Sequence, residues 1–474
     1  MKVLFLLPPA EHSLRKADMN DNGYGLGRAY LMSYLKAHGH EVSTIPFNFR
    51  SDEYYLGELD DQLKTFNPDF VAITMFSVNR VMGYKCVDYI HILHPEIKIV
   101  VGGHHASAEP EQLIEKYPFI QVVKGEGEIA LLDIVEGRET GKIVERPLIK
   151  DLDSLPFPDH KTFFDAEPGR KSAIILTSRG CPNKPACSFC CLPTVSHATF
   201  RKRSAQNVFE EIKWMKETLP NLKIIGIVDD AFTTDHQRVI DLCKLLVENN
   251  IKLEYAVAVR VKPVSDEMLY WMDKAGMYWI SIGLETGNQK MLDSCHKRVK
   301  LEEFIHYFKL AKKYPKLCIT TFLMVGLPGE TWDTVKETVK FVKKLHQIKY
   351  DLVFDVAIVF VYAGGELEQM MVDSGKHSKR YWVGDGDCPT CTLEHDENTL
   401  KEMRRYILYR ISFLRVFTPL GFFHQFLNAP RNLLELFWNH PEMIKYSLGD
   451  SFSIMFPKLY RKLRGDKIER RYEL

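Results

Sequence analysis

The sequence is short of features that would place it at a glance. It has ten cysteines in 474 residues, too few for a disulfide-stapled scaffold. No run approaches the ~20 uninterrupted apolar residues of a membrane span. The formal net charge is only +1, so no global field draws the chain to nucleic acid or to an anionic membrane. Solenoid-period repeats and low-complexity tracts are both missing. The opening MKVLFLLPPAEH is apolar for a few residues before two prolines. That is too short for a signal-peptide core and reads as a buried first strand. A reducing, cytoplasmic setting is the expectation, and there a thiol cluster reads as metal-binding or catalytic before it reads as structural.

What is present is a folded composition, 45% hydrophobic and 26% charged, with length for two or three domains. Residues 1–140 alternate short apolar runs (KVLFLL, EVSTIPF, FVAITMF, IKIVVGG, IQVVKGE) with amphipathic segments. That pattern predicts a doubly wound parallel sheet. Ligands bind at the carboxyl ends of such strands, and there lie Gly25 and Gly27, Gly102 and Gly103, and Gly125 and Gly127. Residues 141–170 hold four prolines with little periodicity and read as a linker. Residues 171–375 hold a second β/α series of about six units, short of the eight in a complete barrel, so an open, partial (β/α)6 barrel is expected. Residues 376–474 read as a mainly helical C-terminal domain, aromatic and basic.

The thiols are concentrated. SRGCPNKPACSFCC, residues 178–191, holds four of the ten. Cys181, Cys187 and Cys190 follow a strand, at the end where barrel chemistry is built. Four thiolates saturate a cubane iron–sulfur cluster, and three leave one iron open. A zinc knuckle is the alternative, with Cys191 or His197 as fourth ligand.

The neighbouring segments resemble the radical S-adenosylmethionine (SAM) superfamily, in the class with an N-terminal cobalamin-binding domain. SRGCP…CSFC is similar to the cluster loop, with Phe189 in the aromatic position before the last cysteine. GIVDDAFTTDHQRVIDLC, VAVRVKPVSDEMLYWMDKAGMYWISIGLETGNQKMLD and FLMVGLPGET resemble later barrel segments. GRAYLMSYLKAHGHEV, VVGGHHASAEPEQLIEKYPFIQVVKGEGE and DLDSLPFPD resemble the cobalamin-type domain and its linker. One departure is visible: the usual C-x3-C-x2-C spacing is C-x5-C-x2-C here, with PNKPA between the first two thiols.

The resemblance implies a [4Fe-4S] cluster on Cys181, Cys187 and Cys190, and reductive SAM cleavage to a 5′-deoxyadenosyl radical. It implies that Arg260 pairs with the SAM carboxylate, that Glu285 accepts from the ribose hydroxyls with Ser281 nearby, and that Gly326 and Gly329 let backbone approach the adenine. Asp229 and Asp230 end the second strand, where one of them could equally be a helix N-cap. In the first domain, Ser77, Val78 and Asn79 are expected under the corrin. Gly102, Gly103 and His104 are expected by the nucleotide tail, with Gly125, Glu126 and Gly127 along the same edge. The D-x-H-x-x-G signature is absent, so no protein histidine is expected on cobalt.

The leading expectation is a cobalamin-dependent radical SAM C-methyltransferase. It would act on a small-molecule, lipid or peptide substrate and draw on an electron donor such as ferredoxin or flavodoxin, with no nucleic-acid partner. An oxidative cyclase of the anaerobic chlorophyll-pathway type and a non-catalytic cobalamin or metal sensor are the rivals. Cys388 and Cys391, in a C-P-T-C pair, could be redox-active or simply buried. The stretch RRYILYRISFLRVFTPLGFFHQFL could touch a membrane surface or form a core helix.

Overall fold

A computed structural model describes residues 1–10, 24–45, 51–349 and 352–416. Strands β1 (Lys2–Leu6), β2 (Glu41–Thr44), β3 (Phe70–Thr74), β4 (Lys98–Gly102), β5 (Gln121–Lys124) and β6 (Ile143–Glu145) form one all-parallel sheet in the order β2-β1-β3-β4-β5-β6. Both faces are covered. Leu4 and Leu6 of β1 enter one apolar cluster, while Val3 and Phe5 enter another on the opposite face. Burial on both faces is why these strands read as continuous apolar runs. The order reverses between β1 and β3, which opens a crevice at their carboxyl ends.

The sixth strand lies inside the segment read as a linker. Val122, Val123 and Lys124 pair with Ile143, Val144 and Glu145, and three residues are too short for a periodic signal. The connector also packs inward, with Leu152, Leu155 and Phe163 joining the first domain's core.

The second sheet contains β7 (Ser172–Ile175), β10 (Ile224–Ile227), β11 (Glu254–Val259), β12 (Met277–Glu285), β13 (Cys318–Val325) and β14 (Val353–Ile358). All are parallel, in the order β14-β13-β12-β11-β10-β7. This is the expected open six-unit barrel. A short antiparallel ribbon, β8 (Ser178–Arg179) with β9 (Arg201–Lys202), brackets the cysteine loop. Alternation along β12 and β13 turns Ile280, Ile282, Leu284, Ile319, Leu323 and Val325 into the core under the helices and leaves Ser281, Gly283 and Phe322 toward the lumen.

The described start of the C-terminal region is not a separate body. The helix Glu397–Val416 places Leu400, Met403, Ile407 and Ile411 in the barrel's own core, and Arg404 Nε donates to the Val356 carbonyl at 2.7 Å. That spacing is one helical face. The aromatic stretch at 404–427 is described only to residue 416, and the basic tail lies outside the described residues. Among the described residues no helix is long and apolar enough to cross a membrane.

Gly103 is a sharp constraint in the first domain. Its φ is +102°, and a Cβ there would lie 2.7 Å from the Met75 carbonyl oxygen. Gly103→Ala is expected to destabilise the cofactor-free chain by about 1–3 kcal/mol, read as a lower thermal midpoint. An unchanged midpoint contradicts this packing.

Candidate active site

The β4 and β5 ends of the first sheet face the cysteine loop across one cleft of about 480 Å³, lined from both domains. Gly102, Gly103, His104, Gly125, Glu126 and Gly127 line it from one side, as expected from sequence, and Gly180, Leu192, Val195, Val228 and Asp230 line it from the other. Half-buried Gly103 approaches the Met75 backbone so closely that no side chain fits, which keeps the strand end bare for a bulky ligand. Burial lowers the pKa of His104, which favours its neutral form. His104 stacks on Phe76, centroids 5.6 Å apart.

Ser77, Val78 and Asn79 are placed otherwise than the sequence suggested. They are not among the residues lining the cleft; Thr74 and Phe76 take that position. Asn79 is buried and closes its own loop, accepting from Phe76 N at 2.7 Å and donating to the Pro8 carbonyl at 3.0 Å. Ser77 faces His105 at 3.4 Å, and Val78 packs with the cluster around Trp382 and Cys388. A polar residue that caps its own turn has no donor left for a ligand, and sequence does not reveal that engagement.

In the second domain the three thiols share one loop. Leu192 N donates to Cys190 Sγ at 3.4 Å, and burial pushes the Cys190 thiol up to about 12. Burial also raises Cys187. Half-buried thiols of this kind are poor donors as thiols and strong ligands once iron replaces the proton. Asn183, in the lengthened loop, has a visible use. Asn183 Nδ2 lies 3.7 Å from Cys187 Sγ, and its Oδ1 accepts from Arg260 Nη2 at 3.0 Å. Arg260 Nη1 lies 3.4 Å from Cys181 Sγ. The guanidinium therefore stands beside the cluster loop, where a carboxylate bound at an open iron comes within its reach. Phe189 packs among Met291, Leu327, Val361 and Leu367 and pins the loop to the barrel.

His197 does not complete a zinc site. Its Nε2 pairs with Glu145 at 3.4 Å, and the ring is half exposed. Cys191 is half-buried, its carbonyl accepting from Thr194 Oγ1 at 2.7 Å. Among the described residues no three His, Cys, Asp or Glu groups form a single-ion site.

Glu285 carries the most informative geometry. It sits in the left-handed region at φ +65°, where the β12–β13 register shifts, a conformation costing roughly 1–2 kcal/mol for a residue with a Cβ. It is 4% exposed. Oε1 accepts from Lys297 Nζ at 2.5 Å, while Oε2 is buried with no hydrogen-bond partner among the described residues. Gly283 makes room, since a Cβ there would lie 2.2 Å from Oε1. A strained carboxylate with an orphaned buried oxygen fits a ligand that brings hydroxyl donors, as a ribose does. Ser281 lies half-buried on the same strand face.

Gly326 and Gly329 both have positive φ, +95° and +83°, so the GLPG turn is a real backbone concavity. Glu330, which the sequence reading missed, holds it by accepting from Gly326 N at 2.5 Å. Burial pushes its carboxyl up to about 7. Lys297 was missed too, because its partner lies twelve residues back, across the helix Gln289–Ser294, with no spacing signature. Asp229 and Asp230 divide their work. Asp229 is buried and accepts from Thr177 N and Ser178 Oγ at 2.6 Å each, so it anchors the root of the cysteine loop and does not face the cleft. Asp230 lines the cleft and accepts from Gly180 N at 3.1 Å; burial raises its pKa. The helix N-cap is neither of these but Asp235, accepting from Arg238 N at 3.0 Å. Cys388 and Cys391 are both buried, in two different apolar clusters. They point apart, as an odd spacing in extended chain requires, and form no dithiol pair.

Cys187→Ala is expected to leave the anaerobically reconstituted chain without bound iron and sulfide, by direct analysis. Glu285→Gln is expected to keep the cluster and weaken SAM binding by about 1.5–3 kcal/mol, roughly 10- to 150-fold in Kd by calorimetry. Glu330 favours its protonated form when folded, so stability falls as pH rises from about 4.5 toward about 7. Glu330→Gln is expected to remove that component, of the order of 3 kcal/mol, and to flatten the pH dependence of chemical unfolding.

Comparison with known proteins agrees with this geometry. The radical SAM superfamily matches residues 175–342 and the B12 binding domain matches residues 15–135. An uncharacterised methyltransferase of Pyrococcus horikoshii is 27% identical over 368 residues, 73% of this chain and 78% of that protein. The anaerobic magnesium-protoporphyrin IX monomethyl ester cyclase of Rubrivivax gelatinosus is 26% identical over 376 residues, 72% of this chain and 66% of that one. Among solved structures, the cobalamin-dependent SAM radical enzyme OxsB, with aqua-cobalamin and SAM bound, shares the fold at a TM-score of 0.67 and 17% identity, covering 99% of this chain and 74% of its own. This chain therefore carries a B12-binding domain followed by a radical SAM domain, and it is an enzyme with a [4Fe-4S] cluster, SAM and cobalamin as its cofactors.

Proposed function

We propose that this enzyme methylates an unactivated carbon of a small-molecule substrate. The observation that carries the reading is the shared cleft: the strand ends that face a corrin and the root of the cluster loop line one space. A substrate carbon can then meet both reaction centres without leaving the site. When bound, the cofactors supply a 5′-deoxyadenosyl radical to remove hydrogen and a methyl group to replace it.

The residues' part is placement. Cys181, Cys187 and Cys190 hold three irons. Arg260 orients the SAM carboxylate from beside Cys181, and Glu285 takes the ribose hydroxyls on its free oxygen. Gly326, Gly329 and the Glu330 that braces them leave room for the adenine. On the opposite wall Phe76 and Thr74 would lie against the cobalamin. Gly102, Gly103, His104, Gly125 and Gly127 accommodate the rest of the cofactor. A small electron donor such as ferredoxin or flavodoxin would reduce the cluster that these cysteines would hold. Similarity to a methyltransferase supports methyl transfer, while similarity to a ring cyclase supports the oxidative alternative built from the same parts.

Anaerobic incubation of the reconstituted enzyme with methyl-labelled SAM, a reductant and extract of the source cells tests the choice. Methyl transfer is expected to give 5′-deoxyadenosine and a labelled small molecule heavier by one CH2 unit. An unlabelled product that has lost hydrogen or gained oxygen supports the cyclase instead, and absence of 5′-deoxyadenosine overturns both.

A further inference from the structure

One group of buried charges lies in the cleft wall, where the two domains meet, with its charged atoms paired to one another. Arg179, on β8, immediately precedes Gly180 and Cys181. Its Nη1 donates to Glu126 Oε1 at 2.7 Å and its Nη2 to Glu128 Oε1 at 2.6 Å. Arg201, its partner across the β8–β9 ribbon, donates through Nη1 to Glu126 Oε2 at 2.8 Å and to the Ile149 carbonyl at 2.6 Å. Ile149 N returns a hydrogen bond to Glu126 Oε2 at 2.8 Å. The Arg179 guanidinium also lies over the Tyr30 ring, 5.0 Å from its centroid. Two arginines of the barrel thus grip two glutamates of the cobalamin domain, with the connector tied in. Both glutamates are almost fully buried, at 6% and 5% exposed.

Cohesion is a weak explanation for such a cluster. Burying four charges costs as much as their attraction returns, and apolar contacts would join the domains at least as well. Direction is a stronger one. A planar guanidinium that forks onto two carboxylates fixes distance and angle together. The location matters equally. The loop bearing Glu126 and Glu128 is the one that lines the cleft beside Gly125 and Gly127, and the ribbon bearing Arg179 and Arg201 is the root of the cysteine loop. Near-attack chemistry between two bound cofactors is sensitive to shifts of about 1 Å.

We propose that Arg179, Arg201, Glu126 and Glu128 form a positioning clamp that sets the separation between cobalt and the open iron of the cluster. The clamp's charged atoms are spent on one another and on the Ile149 backbone, so it acts through position. Loosening it lets each half of the site keep its own chemistry while the two halves fall out of step. The proposal rests on the reading that methyl transfer and SAM cleavage share the cleft.

Arg179→Lys and Glu128→Gln test it in the full chain. Lysine keeps the charge but loses the fork, and glutamine removes one arm while sparing Glu126. In the cofactor-free protein, both variants are expected to speed amide hydrogen exchange at residues 176–181 and 199–203 without unfolding the barrel. In the reconstituted holoenzyme, iron, sulfide and cobalamin contents are expected to match the parent. Reductive 5′-deoxyadenosine release stays within twofold. Transfer of a labelled methyl from SAM to reduced cobalamin, a reaction that needs no substrate, falls at least tenfold. The magnetic interaction between cob(II)alamin and the reduced cluster, read by electron paramagnetic resonance, weakens or broadens. Parallel loss of both reactions, loss of cofactors in both variants, or no change in exchange and spectrum overturns the clamp. If the parent enzyme itself moves no methyl to cobalamin, the methyl-transfer reading fails instead; the exchange and resonance measurements still decide the clamp.

Discussion

Parallel strands put every one of their site loops at the same end, and the active site exists because two such ends meet. Each sheet alone offers a shallow rim. The first presents glycines and one aromatic ring at the tips of β3, β4 and β5; the second presents a cysteine loop, an arginine and a glutamate at the tips of β7, β11 and β12. Where the rims face each other a cleft forms, lined by the first sheet's strand ends and by the residues that flank the cysteine loop, Gly180, Leu192 and Val195. Everything assigned to catalysis depends on that juxtaposition. The connector is accordingly not slack: it adds a strand to the first sheet, packs Leu152, Leu155 and Phe163 into its core, and places His160 Nε2 2.8 Å from Glu211 of the barrel, both fully buried.

The site is strained and underpaired where a ligand belongs and over-paired where it does not. Glu285 keeps a buried oxygen without a partner and sits in an unfavourable backbone region. Asp229, one turn from the cysteine loop, has both its oxygens engaged. Two carboxylates at the ends of strands in the same sheet therefore do different work. One keeps hydrogen-bonding capacity in reserve, and the other spends all of it on the scaffold.

Much of this was legible beforehand because the signals were local. Apolar runs separated by amphipathic segments announced both sheets. The spacing of Cys181, Cys187 and Cys190, the GLPG turn and the paired glycines announced the loops. Legibility ended where a role depends on a distant partner. Nothing in the sequence distinguishes Asp229 from Asp230, or foretells that Asn79 spends its amide on Pro8. Glu330 looks like any acidic residue at a helix start until its carboxylate is seen holding Gly326 N. The three residues of β6 were hidden among prolines, since a strand that short takes its identity from the β5 edge it joins.

The sequence by itself determined the chemistry available: three soft thiolates on one flexible loop, a guanidinium and a carboxylate at strand ends, and glycines where backbone must come close. Those are properties of residue type and short spacing, and they survive in any arrangement of the domains. The tertiary structure decided which of these groups share a space. Distance, burial and unspent hydrogen-bonding capacity arise only when segments far apart in the chain are packed together. That is why the cleft, the orphaned oxygen of Glu285 and the ion pairs joining Arg179 to Glu126 and Glu128 belong to the fold alone.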